Sequence, residues 1–174
     1  DLRVRLEGFG LRLHPEKTRL IEFGRFATHN RQQRGEGRPE TFNFLGFTHC
    51  CAVTRANKKF TVYRQSIGKR LRAKLAELKE EIYRRRHEAV NEVGRWLGNV
   101  VRGWFNYHAI PCNGDALETF RQEVIRAWLH ALRRRGQKRP MTWERFAKLY
   151  RRWIPSVRIL HPYPSARFHA RYPR

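Results

Sequence analysis

The chain predicts an α+β fold, a short helix and β-hairpins followed by a bundle of three to four helices. Three observations carry this. Strand-like alternation is confined to the residues before Arg64, apolar residues recur at helical spacing from Ile67 onward, and prolines and glycines mark the changes between them. With 40% hydrophobic and 13% aromatic residues in 174, the chain can build a core that a disordered basic tail could not.

Leu2, Leu6 and Phe9 fall at helical spacing, and Gly8 and Gly10 supply the backbone on which a short first helix ends. Leu11 and Leu13 then alternate with Arg12 and His14. A His14-Pro15-Glu16-Lys17 turn follows, and Leu20, Ile21 and Phe23 lie on a returning strand, so the pattern reads as a hairpin. Between Gly24 and Glu40 the run Arg31 to Arg38 contains no apolar residue and reads as a mobile, solvated loop. Thr41 to Cys51, rich in Phe, Leu and Thr, and Phe60 to Tyr63 flank a turn at Arg55-Ala56-Asn57-Lys58-Lys59, which predicts another hairpin.

The character changes at residue 64. Ile67, Leu71, Leu75, Leu78 and Ile82 repeat on one face while Lys69, Arg70, Arg72, Lys74 and Lys79 cover the rest, predicting a long basic helix. A second helix spans about 91–109, carries Val93, Trp96, Leu97, Val100, Val101, Trp104 and Phe105, and is stopped by Pro111. A third starts at Asn113-Gly114-Asp115, with Asn113 and Asp115 as candidate caps, and runs through Leu117, Phe120, Val124, Trp128, Leu129 and Leu132. Thr142-Trp143-Glu144 opens a shorter fourth helix that ends before Pro155. The Pro- and aromatic-rich remainder reads as an extended tail. The expected segments are therefore 1–63, 64–154 and 155–174.

Charge narrows the function. Thirty-eight Lys and Arg against 15 Asp and Glu leave +23, a field that calls for a polyanion. Nucleic acid and an anionic membrane surface are the two candidates. The apolar residues look committed to a core, no apolar run spans a bilayer and no signal-like segment opens the chain, so nucleic acid in the cytoplasm is the expectation and a membrane partner is not. Cys50, Cys51 and Cys112 are odd in number with two adjacent, which fits buried free thiols in a reducing compartment better than a zinc site built with His49.

Enzymatic chemistry is hard to place. The chain has two aspartates, Asp1 and Asp115, on different elements, whereas two-metal catalysis needs clustered carboxylates. Glu77, Glu80 and Glu81 sit on a helix face where pairing with Lys or Arg accounts for them. No metal site, nucleophile motif or cofactor is expected. Trp96, Trp104 and Trp128 share helical spacing with other core residues, so they read as core rather than stacking platforms. The block Arg133-Arg134-Arg135-Gly136-Gln137-Lys138-Arg139 reads as a phosphate contact, with a solvated loop as the blander account.

Three stretches, in order, resemble the group II intron-encoded reverse transcriptases, or maturases. Gly10-Leu11-Arg12-Leu13-His14-Pro15-Glu16-Lys17-Thr18 is similar to the palm segment after the catalytic aspartate strand. Phe42-Asn43-Phe44-Leu45-Gly46-Phe47 is similar to the primer-grip block, and Val101-Arg102-Gly103-Trp104-Phe105-Asn106-Tyr107 to the maturase-specific thumb, domain X. The resemblance implies that 1–63 is the end of a polymerase palm, 64–154 the thumb, and 155–174 a basic tail.

It further implies an RNA-binding part of an RNA-directed DNA polymerase acting in reverse transcription, RNA splicing and intron mobility. The paired aspartates would lie upstream, leaving no catalytic residue here; the isolated chain would be inactive, and Mg2+ would belong to the full-length parent. Lys17 would be an ancillary triphosphate contact, or simply a hairpin-turn cation. Phe44, Leu45 and Gly46 would grip the primer end, with Gly46 allowing close backbone approach, or form a buried β-turn. RNA contacts would come from Arg19, Lys69, Arg70, Arg72, Lys74, Arg102, Asn106, Tyr107, Arg133, Arg134, Arg135, Lys138 and Arg139, with Arg102 alternatively a structural cation for Glu92 or Glu123. Expected partners are intron RNA, the template-primer duplex, the upstream fingers and palm of the same polypeptide and, as a further candidate, target DNA. Asp1 reads as lying inside a helix already under way, so the chain reads as a fragment. A stand-alone basic RNA-binding protein is the competing reading, and an anionic-membrane binder a third.

Overall fold

The computed structural model describes residues 2–54, 58–135 and 141–171. Its elements are α1 (Leu2–Glu7), α2 (Ala27–Gln33), β1 (Phe42–Phe44), β2 (Phe47–Val53), β3 (Phe60–Ser66), α3 (Gly68–Arg84), a 3-10 turn (Arg85–His87), α4 (Val90–His108), α5 (Gly114–Arg133), α6 (Trp143–Trp153) and α7 (Pro164–Arg171). The fold is α+β, with one antiparallel sheet ordered β1-β2-β3. The chain divides into two compact units, Asp1–Thr41 with Cys50–Val62, and Phe42–His49 with Tyr63–Arg174. No helix among the described residues is long and apolar enough to cross a membrane.

In the first unit, α1 forms where the helical spacing places it, but the hairpin expected over residues 11–23 does not form. That stretch is irregular around a turn at residues 15–17. A two-stranded ribbon is marginal without a covered face, and here the cover is incomplete: Leu13, Ile21 and Phe23 are only half-buried, while Leu11 is 57% and Leu20 100% exposed. Of the run Arg31 to Arg38, expected to be a loop, residues 34–38 are irregular, but Arg31, Gln32 and Gln33, all fair helix formers, extend α2, which is anchored by buried Ala27. Its charges are met locally. Arg34 bonds Glu22 and Glu36, Arg31 lies 3.2 Å from Glu36, and Asn30 donates to Glu22 at 3.0 Å. The hydrogen bonds from Arg34 hold the Glu22 and Glu36 carboxyls below the usual carboxylate range.

The second unit contains the core. Leu75, Leu78 and Ile82 of α3, Leu97, Val101 and Trp104 of α4, and Leu117, Phe120, Val124 and Trp128 of α5 pack into one cluster, closed by Phe146 of α6 and by Ile154. Trp104 meets Phe120, and Trp128 meets Phe146, edge to face at 4.6 and 5.4 Å. Trp96 is only half-buried, packed on the rim. The four helices form at the positions their apolar spacing predicts. Thr142 caps α6 as expected, its hydroxyl accepting from the Arg145 amide at 3.4 Å.

Asn113 does not cap α5. Its side chain is buried and turns the other way: Oδ1 accepts from the Ser66 amide at 2.9 Å, and Nδ2 donates to Ser66 Oγ at 2.9 Å and to the His108 carbonyl at 2.7 Å. Buried backbone groups at the end of β3 and the end of α4 need partners more than an exposed helix start does. The tail also departs from expectation. After an extended stretch in which the Leu160 and His161 amides donate to the Ala109 carbonyl at 2.9 and 3.1 Å, α7 forms with Pro164 at its first position, where the missing N–H is no loss.

Two glycines on α4 separate packing from propensity. A Cβ on Gly98 would lie 2.5 Å from the Trp153 carbonyl oxygen, whereas one on Gly103 meets nothing within 4 Å. Gly98→Ala should therefore lower the urea midpoint, a clash of ~1–3 kcal/mol outweighing a helix-propensity gain of about 1 kcal/mol. Gly103→Ala should raise it by about that propensity gain. Equal shifts in both variants would contradict the packing of α6 on α4.

Candidate nucleic-acid interface

The tip of the β1–β2 hairpin begins the site. Pairing of Phe42 with His49, Asn43 with Thr48 and Phe44 with Phe47 leaves Leu45 and Gly46 as a two-residue turn. Both have positive φ, 46° and 83°, the geometry that fits the twist of a tight hairpin. Gly46 is buried rather than open to a ligand backbone, and an added Cβ would make only ordinary contact with Arg70 and Tyr107. Its φ explains the glycine; close approach of nucleic acid does not. Leu45 and Phe44 are 66% and 59% exposed, so the turn is an exposed apolar tip and not the buried turn of the alternative reading.

Two helices hold this tip. Tyr107 of α4 donates its hydroxyl to the Leu45 carbonyl at 2.6 Å and stacks on Phe47 at 5.5 Å. The Ile67 amide, just before α3, donates to the Gly46 carbonyl at 3.1 Å. Between the start of α3 and the end of α4 lies an open groove of ≈ 410 Å³. Arg70, Leu71 and Lys74 line one side, and Val100, Gly103, Trp104 and Tyr107, spaced at helical intervals, line the other.

The first turns of α3 expose Lys69, Arg70 and Arg72 and contain no acid. None of these three has a carboxylate partner among the described residues, while Lys74 pairs with Glu77 at 2.8 Å. Cations at a helix N-terminus oppose the helix dipole, each at a cost of about 0.3–1 kcal/mol. Together with the free amides of that turn they form a place where an anion is strongly favoured.

Other expected contacts lie elsewhere. Lys17 is exposed in the turn at residues 15–17, and Arg19 lies 3.5 Å from Glu40, both in the first unit. Arg102 bonds Asn99 at 2.7 Å rather than Glu92 or Glu123; Glu123 serves Lys79 and Arg126. The Asn106 side chain is exposed, and its carbonyl lies 2.7 Å from His161 Nε2. Arg133 and Arg134 are exposed at the end of α5, and Arg135 donates to the His87 carbonyl at 3.2 Å. His87 lies past the far end of α3, about 20 Å along the helix from Lys74 at the groove's edge. The basic block is therefore not part of it. Lys138 and Arg139 lie outside the described residues.

Two features escaped the sequence reading. One is a row of exposed cations on α6, Arg145, Lys148 and Arg152, whose i, i+3, i+7 spacing was there to be read. The other is His108, which lines the groove with its ring among Phe47, Trp104 and Tyr107. Its Nδ1 lies 3.1 Å from the Trp104 carbonyl, which fixes the neutral tautomer with Nε2 as acceptor. Nothing in the linear pattern around residue 108 announces that enclosure. The three cysteines are free and half-buried, and burial, then Cys51, pushes the Cys50 thiol up. Among the described residues no three His, Cys, Asp or Glu side chains converge as metal ligands.

Burial lowers the His108 pKa from 6.5 to about 4, outweighing the opposing hydrogen bond to Trp104. The unfolded chain takes up this proton first, so its contribution makes stability rise with pH from about 4 to 6.5 and level off on either side. Glu22, Glu36 and Glu123 are held below 4.5 by Arg34 and Lys79 and add their own acid loss only below that value. Between pH 5 and 7 the urea midpoint of His108→Gln should therefore depend less on pH than that of the parent. Identical pH slopes would mean that the imidazole is not shielded from water. No protein-family model, curated protein or solved structure matches the chain.

Proposed function

We propose that this chain is the RNA-holding, carboxy-terminal part of a group II intron-encoded reverse transcriptase, with the second unit as its thumb. The observation that carries the reading is the start of α3: exposed Lys69, Arg70 and Arg72, the first two set against the helix dipole, have no acidic partner among the described residues and stand beside a groove whose lining includes Gly46 of the hairpin tip. A placement that lowers folding stability fits a surface kept for a polyanion. The phosphates of a template-primer or intron RNA duplex would lie along Lys69, Arg70 and Arg72. Leu45 and Phe44 would meet the sugar or base edge at the duplex end. The exposed apolar residues of the first unit, Leu2, Val4, Phe9, Leu11 and Leu20, are where this reading seats the upstream palm. Magnesium would be held by that palm.

Replacing Lys69 and Arg70 by Gln tests stability and binding in opposite directions. The double variant should unfold at higher urea concentration, by ~0.3–1 kcal/mol per cation removed. It should also bind duplex RNA more weakly, with a salt dependence shallower by about 0.9 in log–log slope for each phosphate no longer neutralised. Unchanged affinity and slope would remove α3 from the interface. With Mg2+ and nucleotides, the isolated chain should extend no primer in a gel assay; measurable incorporation would show that the catalytic carboxylates do not lie upstream.

A further inference from the structure

The first unit carries a second cationic feature that the α3 surface does not account for. An open concavity of ≈ 1260 Å³ is bounded by α2, the segment before β1, and residues of β2 and β3. Arg25, Arg38 and Lys58 stand around it, and no carboxylate lines it among the described residues. The nearby acids are engaged elsewhere: Glu22 and Glu36 by Arg34, and Glu40 by Arg19, neither of these arginines belonging to the concavity. Arg25, Arg38 and Lys58 thus form no ion pair with a carboxylate among the described residues.

Size and lining choose the ligand. The volume exceeds the ~300–1,000 Å³ of small-molecule pockets, which favours an extended ligand over a free phosphate or a mononucleotide. The lining is partly apolar, with Cys50, Ala52, Val53 and the half-buried Phe60, and Thr28, Gln32 and Thr41 add hydroxyl and amide groups; the Cys51 thiol is turned to the Gly24 backbone, 3.4 Å from its amide. Cations around an apolar, ring-bearing floor with hydrogen-bonding side chains fit a strand whose bases are free to turn inward. A duplex hides those faces.

We propose that this concavity holds a short single-stranded RNA segment, its phosphates on Arg25, Arg38 and Lys58 and its bases against Phe60 and the apolar lining from β2. The inference rests on the reading of the chain as RNA-binding and assigns a different strand state to a different surface. Duplex backbone belongs to α3, and unpaired RNA to the first unit.

The cysteines supply the test, because Cys50 belongs to the lining, the neighbouring Cys51 thiol is turned to the Gly24 backbone, and Cys112 lies in the other unit. The whole chain is labelled with a maleimide at mildly alkaline pH and low salt, with and without a short oligouridylate, and each site is followed by peptide mass spectrometry. The oligonucleotide should slow labelling at Cys50 several-fold and leave Cys112 unchanged. Arg38→Ser with Lys58→Ser should abolish that protection without changing the labelling rate of the free chain. Lys69→Gln with Arg70→Gln should keep it, and loss of duplex binding in that variant alone would concern α3 only. Unprotected Cys50 at a saturating oligonucleotide concentration, equal protection of Cys112, or no binding at all would overturn the proposal. Equal protection by inorganic polyphosphate would overturn the assignment of bases to the floor.

Discussion

The groove depends on one buried amide. Asn113 ties the last residue of β3 to the last turn of α4, accepting from the Ser66 amide and donating to the His108 carbonyl. Both groove walls start from these two points, since α3 leaves β3 through Ile67 and α4 ends at His108. A buried amide left without partners costs ~1–3 kcal/mol, so the residue is held by what it bonds. A carboxylate at the same position could accept from Ser66 but would face the His108 carbonyl acceptor to acceptor. Only an amide satisfies both sides. Groove shape is therefore set by a residue that touches no ligand, and His108, one wall of the groove, is kept neutral by the same close packing.

Against that fixed frame, the charge of +23 has two fates. Some cations are neutralised locally, as with Arg34 between Glu22 and Glu36, or Lys79 and Arg126 on Glu123. Exposed pairs of this kind contribute little to stability, but they remove charge from the surface. Among the described residues, cations without an acidic partner gather at the start of α3, around the concavity at Arg38 and Lys58, along α6 and at the end of α5, and at the first of these the backbone itself is positive. Distribution distinguishes an anion-holding surface from a merely soluble one. Net charge alone does not.

The helical half was legible because it depends on a covered stripe. Leu75, Leu78 and Ile82, or Leu117, Phe120 and Val124, are buried as their spacing requires, and the elements follow. The amino-terminal half was less legible because strand alternation predicts a face, not its cover. Leu13, Ile21 and Phe23 are only half-buried, Leu11 and Leu20 remain exposed, and no ladder forms. Polar composition misled at α2, where one buried alanine and local ion pairs suffice for two turns of helix, and proline misled at α7, where it occupies the one helical position that welcomes it. In the site, the cations of α3 could be read from composition and position. The bonds of Asn113 and the enclosure of His108 could not, since each is made by residues distant in sequence.

Leu45 brings these constraints together. Its φ of 46° puts a leucine in a conformation that usually falls to glycine or asparagine, at a cost of about 1–2 kcal/mol. A tight hairpin would accept asparagine there more easily, and the leucine side chain gains little from burial, being 66% exposed. The strain persists because the turn is held from both sides, by Tyr107 on the Leu45 carbonyl and by Ile67 on that of Gly46. Fold stability thus explains why the strained turn survives but not why its tip is apolar. Under the proposed reading, the tip meets the sugar or base edge of a duplex end, a contact that an aliphatic side chain makes well and an asparagine, keeping its own water, makes poorly. The backbone geometry then belongs to the hairpin and the choice of side chain to the ligand.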